Sequence, residues 1–82
     1  MRFDIVAEPS ATLLCRVLGL IAQLDLAAPD MEVQVTASTM QLWLDLPDPG
    51  GHAGRILAEK MGRCIGVEAV TLDGAPLALM PA

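Results

Sequence analysis

The chain has few of the residues that most often carry chemistry. It contains one histidine (His52), two cysteines (Cys15 and Cys64), no tyrosine, and only Phe3 and Trp43 as aromatics. Lys and Arg total five, scattered as Arg2, Arg16, Arg55, Lys60 and Arg63, against ten acids, for a net charge of -5. A nucleic-acid backbone calls for a concentrated basic footprint, and base-stacking sheets call for aromatics. Both are lacking, so nucleic acid is excluded as a partner. No apolar run reaches the ~20 residues that span a bilayer. The longest, around Leu13 to Leu26, is broken by Arg16, Gln23 and Asp25. The start Met1-Arg2-Phe3-Asp4 does not read as a signal peptide, which leads to the expectation of a cytoplasmic protein with ordinary thiols.

Catalytic and metal sites fare no better. His52 has no nucleophile or orienting carboxylate near it in sequence and reads as a surface residue. Two distant cysteines and one histidine do not make a zinc site, and Asp30, Glu32, Asp45 and Asp48 do not have calcium-loop spacing. Gly50-Gly51-His52-Ala53-Gly54 lacks the Lys-Ser/Thr of a phosphate loop and reads as a turn. Cys15 and Cys64 read as small hydrophobes flanking the apolar faces of two helices. No catalytic residue, metal or cofactor is expected.

What the chain does have is apolar content, 54% of its 82 residues. A single small core leaves much of that uncovered, which favours an oligomer. The apolar residues are also ordered. A period-two run, Arg2 to Glu8, places Phe3, Ile5 and Ala7 on one face. Pro9 ends it, and Ser10 or Thr12 can cap a helix over 10–24. That helix is apolar around more than half its girth, so it needs cover beyond the sheet, from a neighbouring helix or a partner chain. Two further strands follow, Met31 to Ala37 and Gln41 to Leu46. Met31, Val33, Val35 and Ala37 point inward from the first of these, and Leu42, Leu44 and Leu46 from the second. Trp43 then falls on the outer face with Val6, where a lone tryptophan points to a subunit or partner interface. Cover by the tail residues Leu77, Leu79 and Met80 is the other account.

Asp48, with Pro49 behind it, is placed to cap a second helix with a core face of Ala53, Ile56, Leu57, Met61 and Cys64. Glu59 and Arg63 have the spacing of a surface pair. A last strand, Val67 to Leu72, precedes an Asp73-Gly74 turn and an apolar tail. The order β-α-β-β-α-β predicts an α+β, ferredoxin-like domain: a four-stranded antiparallel sheet with two helices on one face. The domain is placed at 1–73 and the tail at 74–82.

The stretch Glu8-Pro9-Ser10-Ala11-Thr12-Leu13-Leu14-Cys15-Arg16-Val17-Leu18-Gly19-Leu20 resembles the start of the first helix in ACT domains. There a small turn leads into Leu-x-Arg-[Val/Ile]-Leu-x-Leu. Gly66-Val67-Glu68-Ala69-Val70 also fits, and the resemblance covers residues 2 to 72. It is greatest to the short single-domain type that includes the small regulatory subunit of acetolactate synthase. The resemblance implies a regulatory homodimer that joins sheets edge to edge, binds an amino acid or similar small acid, and modulates a biosynthetic enzyme. It implies a ligand site in the turn between first strand and first helix: Glu8, Ser10, Ala11 and Thr12. Backbone N–H groups there suit a carboxylate, and Glu8 suits an ammonium. The glycine usual in that turn is replaced by Ala11 and Thr12. The alternative is a protein–protein interaction module that has kept the fold without the ligand. An acylphosphatase-like enzyme is disfavoured, because its first loop needs an arginine and this one is acidic.

Overall fold

The computed structural model describes residues 1–77. Strand β1 (Arg2–Ala7) leads into helix α1 (Ala11–Gln23), strands β2 (Asp30–Val35) and β3 (Met40–Asp45), helix α2 (Ala53–Gly62), strand β4 (Val67–Leu72) and a short β5 (Ala75–Pro76). All pair antiparallel in one sheet of order β2-β3-β1-β4-β5. The βαββαβ plan therefore stands, with β5 added at one edge. Both crossovers pass over the same face, and α1 and α2 touch there.

Period-two sequence becomes a one-sided sheet. Phe3, Ile5 and Ala7 of β1 are buried, as are Met40, Leu42 and Leu44 of β3, Leu46 just beyond it, and Val70 of β4. They meet Leu13, Val17 and Ile21 of α1 and Leu57, Ala58 and Met61 of α2 in one core. Among the described residues, fourteen apolar residues make that core, and no buried residue is polar. Met1 and Leu46 exchange backbone hydrogen bonds of 2.6 and 2.9 Å, which extends the β1–β3 ladder by one pair.

Several expectations need correction. β2 alternates as predicted, with Val33 opposite Leu42 and Met31 opposite Leu44. Yet all six of its residues are exposed. The helices cover β1, β3 and β4, and their footprint ends short of this edge strand. Ala37 lies in the β2–β3 turn, not in the strand. That turn is closed by Thr36, whose Oγ accepts from the Thr39 N–H at 3.1 Å.

α2 starts at Ala53, not after Asp48. Gly50 and Gly51 both have positive φ (87° and 63°), which a right-handed helix cannot contain. Asp48 instead accepts from the Gly50 N–H at 2.8 Å, an Asx turn. The N-cap of α2 is the exposed His52, which makes no side-chain capping bond. The core face of α2 is Leu57, Ala58 and Met61. At about 100° per residue, Ile56 points away from that stripe, and it is 48% exposed. Glu59 pairs with Arg55 (3.4 Å), not with Arg63. Cys15 is exposed and Cys64 half-buried, so Cys15 is not a core residue.

The tail starts later than expected. Asp73 and Gly74, at φ 49° and 83°, form a two-residue hairpin that returns the chain onto β4. Leu77 donates its N–H to Val70 and packs on the core at the β4 edge, two strands from β3. It does not cover Trp43, and Leu79 and Met80 lie outside the described residues. No helix among the described residues is long and apolar enough to cross a membrane.

Candidate functional site

The turn between β1 and α1 is built by three local interactions. Ser10 is the N-cap of α1, with extended backbone (φ -152°, ψ 121°) and Oγ accepting from the Leu13 N–H at 3.2 Å. Its carbonyl accepts from Leu14 at 3.1 Å. Glu8 donates its N–H to the carbonyl of Gly66 at 2.9 Å, which ties the turn to the loop before β4. Ala11 and Thr12 follow the cap and are exposed. Their N–H groups precede the intrahelical ladder, where a helix has donors to spare and a partial positive charge. No acidic residue occupies the first turn of α1.

Glu8, Ser10, Ala11 and Thr12 are thus brought together at one helix N-terminus. Sequence reasoning missed their neighbour across the turn, Gly66. Its φ is +98°, and a Cβ there would stand 3.2 Å from both Glu8 Oε2 and Leu13 Cδ2. Only glycine fits both the backbone and the space. The sequence signal for it was a glycine standing directly before the last predicted strand. Just beyond it, the β1–β4 register slips between Val6 and Ala7, so Val6 faces Ala69 while Ala7 faces Val67.

The second candidate region is the sheet face opposite the helices. Trp43 and Val6 share it as predicted, both half-buried. Trp43 pairs with Asp4 on β1 and with Glu32 on β2. Val6 pairs with Gln41, so it neighbours Trp43 diagonally. A recess of about 360 Å³ opens beside the indole, lined by Arg2, Asp30, Glu32 and Asp45 among others. Among the described residues, no group of three or more His, Cys, Asp or Glu is placed to hold a metal ion.

This arrangement of turn, helix and sheet can be compared with known proteins. A family model described as an ACT-like domain matches residues 1–79. The chain belongs to the ACT-like domain family. ACT domains are regulatory modules, not catalytic ones. The ACT-like fold here is similar to the crystal structure of the ACT domain from GTP pyrophosphokinase of Chlorobium tepidum. The TM-score is 0.74 at 17% identity, over 85% of this chain and 91% of that one. The solution NMR structure of the same domain matches with TM-score 0.71 at 16% identity, over 96% and 85%. At such identity the likeness is one of fold. No curated relative matches the chain.

Proposed function

We propose that this ACT-like protein is a small regulatory module of the cytoplasm that works as a homodimer. It binds an amino acid or similar small acid at the β1–α1 turn and modulates a biosynthetic enzyme. In type it resembles the short single-domain proteins that include the small regulatory subunit of acetolactate synthase.

The observation that carries this reading is β2. Among the described residues it is an edge strand with one row of backbone groups unpaired. Its helix-side residues Met31, Val33 and Val35 are 40%, 37% and 59% exposed. Two β2 strands related by a two-fold axis would join the sheets and cover these side chains together. The ligand's carboxylate would take the Ala11 and Thr12 N–H groups and the Ser10 and Thr12 hydroxyls as donors, and its ammonium would take Glu8. The test is molar mass by light scattering. Wild type should run as a dimer, and Val33→Lys as a folded monomer. A monomeric wild type at tens of micromolar would count against the reading.

A second reading is a ligand-free interaction module that uses the β2 edge or the Val6 and Trp43 face. It is favoured by the turn itself, where Ala11 and Thr12 replace glycine and Ser10 is already engaged as a cap. Under it, Trp43→Glu should break assembly, while changes at Ser10 and Thr12 leave binding untouched.

A further inference from the structure

The sheet face left open by the helices has a charge pattern of its own. The register lines up Arg2, Asp4 and Val6 with Gln41, Trp43 and Asp45, and these with Asp30, Glu32 and Gln34. Four strand carboxylates therefore share this face with one guanidinium. The six remaining acids of the chain are set against four bases, so most of the net charge of -5 is concentrated here. Trp43 sits between Asp4 and Glu32 in one cross-strand row, and Asp30 faces Asp45 in the next.

The fold gives up stability to hold this pattern. Like charges directly opposite on a sheet repel. Asp4 Oδ1 is shut off from solvent and has no hydrogen-bond partner among the described residues. Beside the indole of Trp43, the recess sets the carboxylates of Asp30, Glu32 and Asp45 against the single guanidinium of Arg2, an excess of negative charge that suits a further cation.

We infer that this open face docks a basic segment of a partner protein. An arginine side chain of that segment lies in the recess against Trp43, with its guanidinium held by the surrounding carboxylates. A planar guanidinium is the group that satisfies both features, since it stacks on aromatic faces and donates in a fork to carboxylates. The same face of a second copy is repelled by its own charge. The inference rests on reading Trp43 as an interface residue. It needs neither β2 pairing nor an amino acid at the turn.

Trp43 is the one tryptophan and the chain has no tyrosine, so intrinsic fluorescence reports this face directly. The experiment is a titration of the full chain with hexa-arginine, with hexa-glutamate as control. Expected is a saturable change in Trp43 emission with the basic peptide alone, weakened by salt. Glu32→Gln with Asp45→Asn should weaken binding ~tenfold. Asp25→Asn with Glu68→Gln removes the same charge from exposed sites elsewhere and should bind as wild type does. Flat emission overturns the inference, and so does equal weakening by the two double variants. If emission depends on protein concentration and not on peptide, the face joins copies of this chain. The basic-segment inference then fails while Trp43 as an interface stands. Emission insensitive to both removes the Trp43 interface as well.

Discussion

Trp43 stands directly across the β1–β3 ladder from Asp4, so the one indole of the chain shares the open sheet face with a carboxylate that has a buried, unpartnered oxygen. Replacing that carboxylate should stabilise the fold. Asp4→Thr introduces a β-favouring residue and removes the unpartnered carboxylate. It should add about 1 kcal/mol, or raise the melting midpoint by about 5 °C. Thermal denaturation followed by circular dichroism checks this. The same variant should bind basic peptide less well than wild type.

Glycine substitutions should rank by environment. Gly66→Ala combines positive φ with close contacts to Glu8 and Leu13, and should cost about 2 kcal/mol or more. At Gly74, φ is also positive (+83°) but an added Cβ meets nothing within 4 Å, so alanine should cost only about 1 kcal/mol. Gly19 lies inside α1 with the same open space, and Gly19→Ala should stabilise by about 0.5–1 kcal/mol through helix propensity. Urea denaturation of the three variants gives the order.

The N-cap of α1 should be measurable separately from its neighbour. Ser10→Ala loses the bond to the Leu13 N–H and should cost about 1 kcal/mol. Thr12→Ala removes an exposed hydroxyl in the first turn and should change stability by less than about 0.5 kcal/mol. Their urea midpoints should therefore separate.

The Arg55–Glu59 pair should matter little. Its side chains are 74% and 44% exposed, and such i,i+4 pairs contribute about 0.3–0.5 kcal/mol at most. Glu59→Gln should leave the melting midpoint within about two degrees of wild type, with the small loss vanishing in high salt.

Much of the fold was legible because alternation and caps act locally. The inward set Phe3, Ile5 and Ala7, the Ser10 cap, and the shared face of Val6 and Trp43 all follow from spacing within one or two elements. The turn residues Glu8, Ser10, Ala11 and Thr12 came together for the same reason. What failed depends on tertiary cover. Alternation says which face Met31, Val33 and Val35 point to, and nothing about whether a helix reaches that far. Gly66 and the stranded oxygen of Asp4 are likewise products of packing between distant segments. Two misses were local and readable. Gly50-Gly51 should have delayed α2, and Asp73-Gly74 is a strong hairpin signal that predicts β5.

The most direct test of the regulatory reading is thermal denaturation of the chain with each common amino acid at millimolar concentration. A ligand at a hundredfold excess over Kd stabilises the native state by about 2.7 kcal/mol, a shift of more than about five degrees in a domain of this size. The account predicts such a shift for one or two amino acids, lost when Ser10 and Thr12 are both replaced by alanine. A flat panel for the wild-type chain would contradict it.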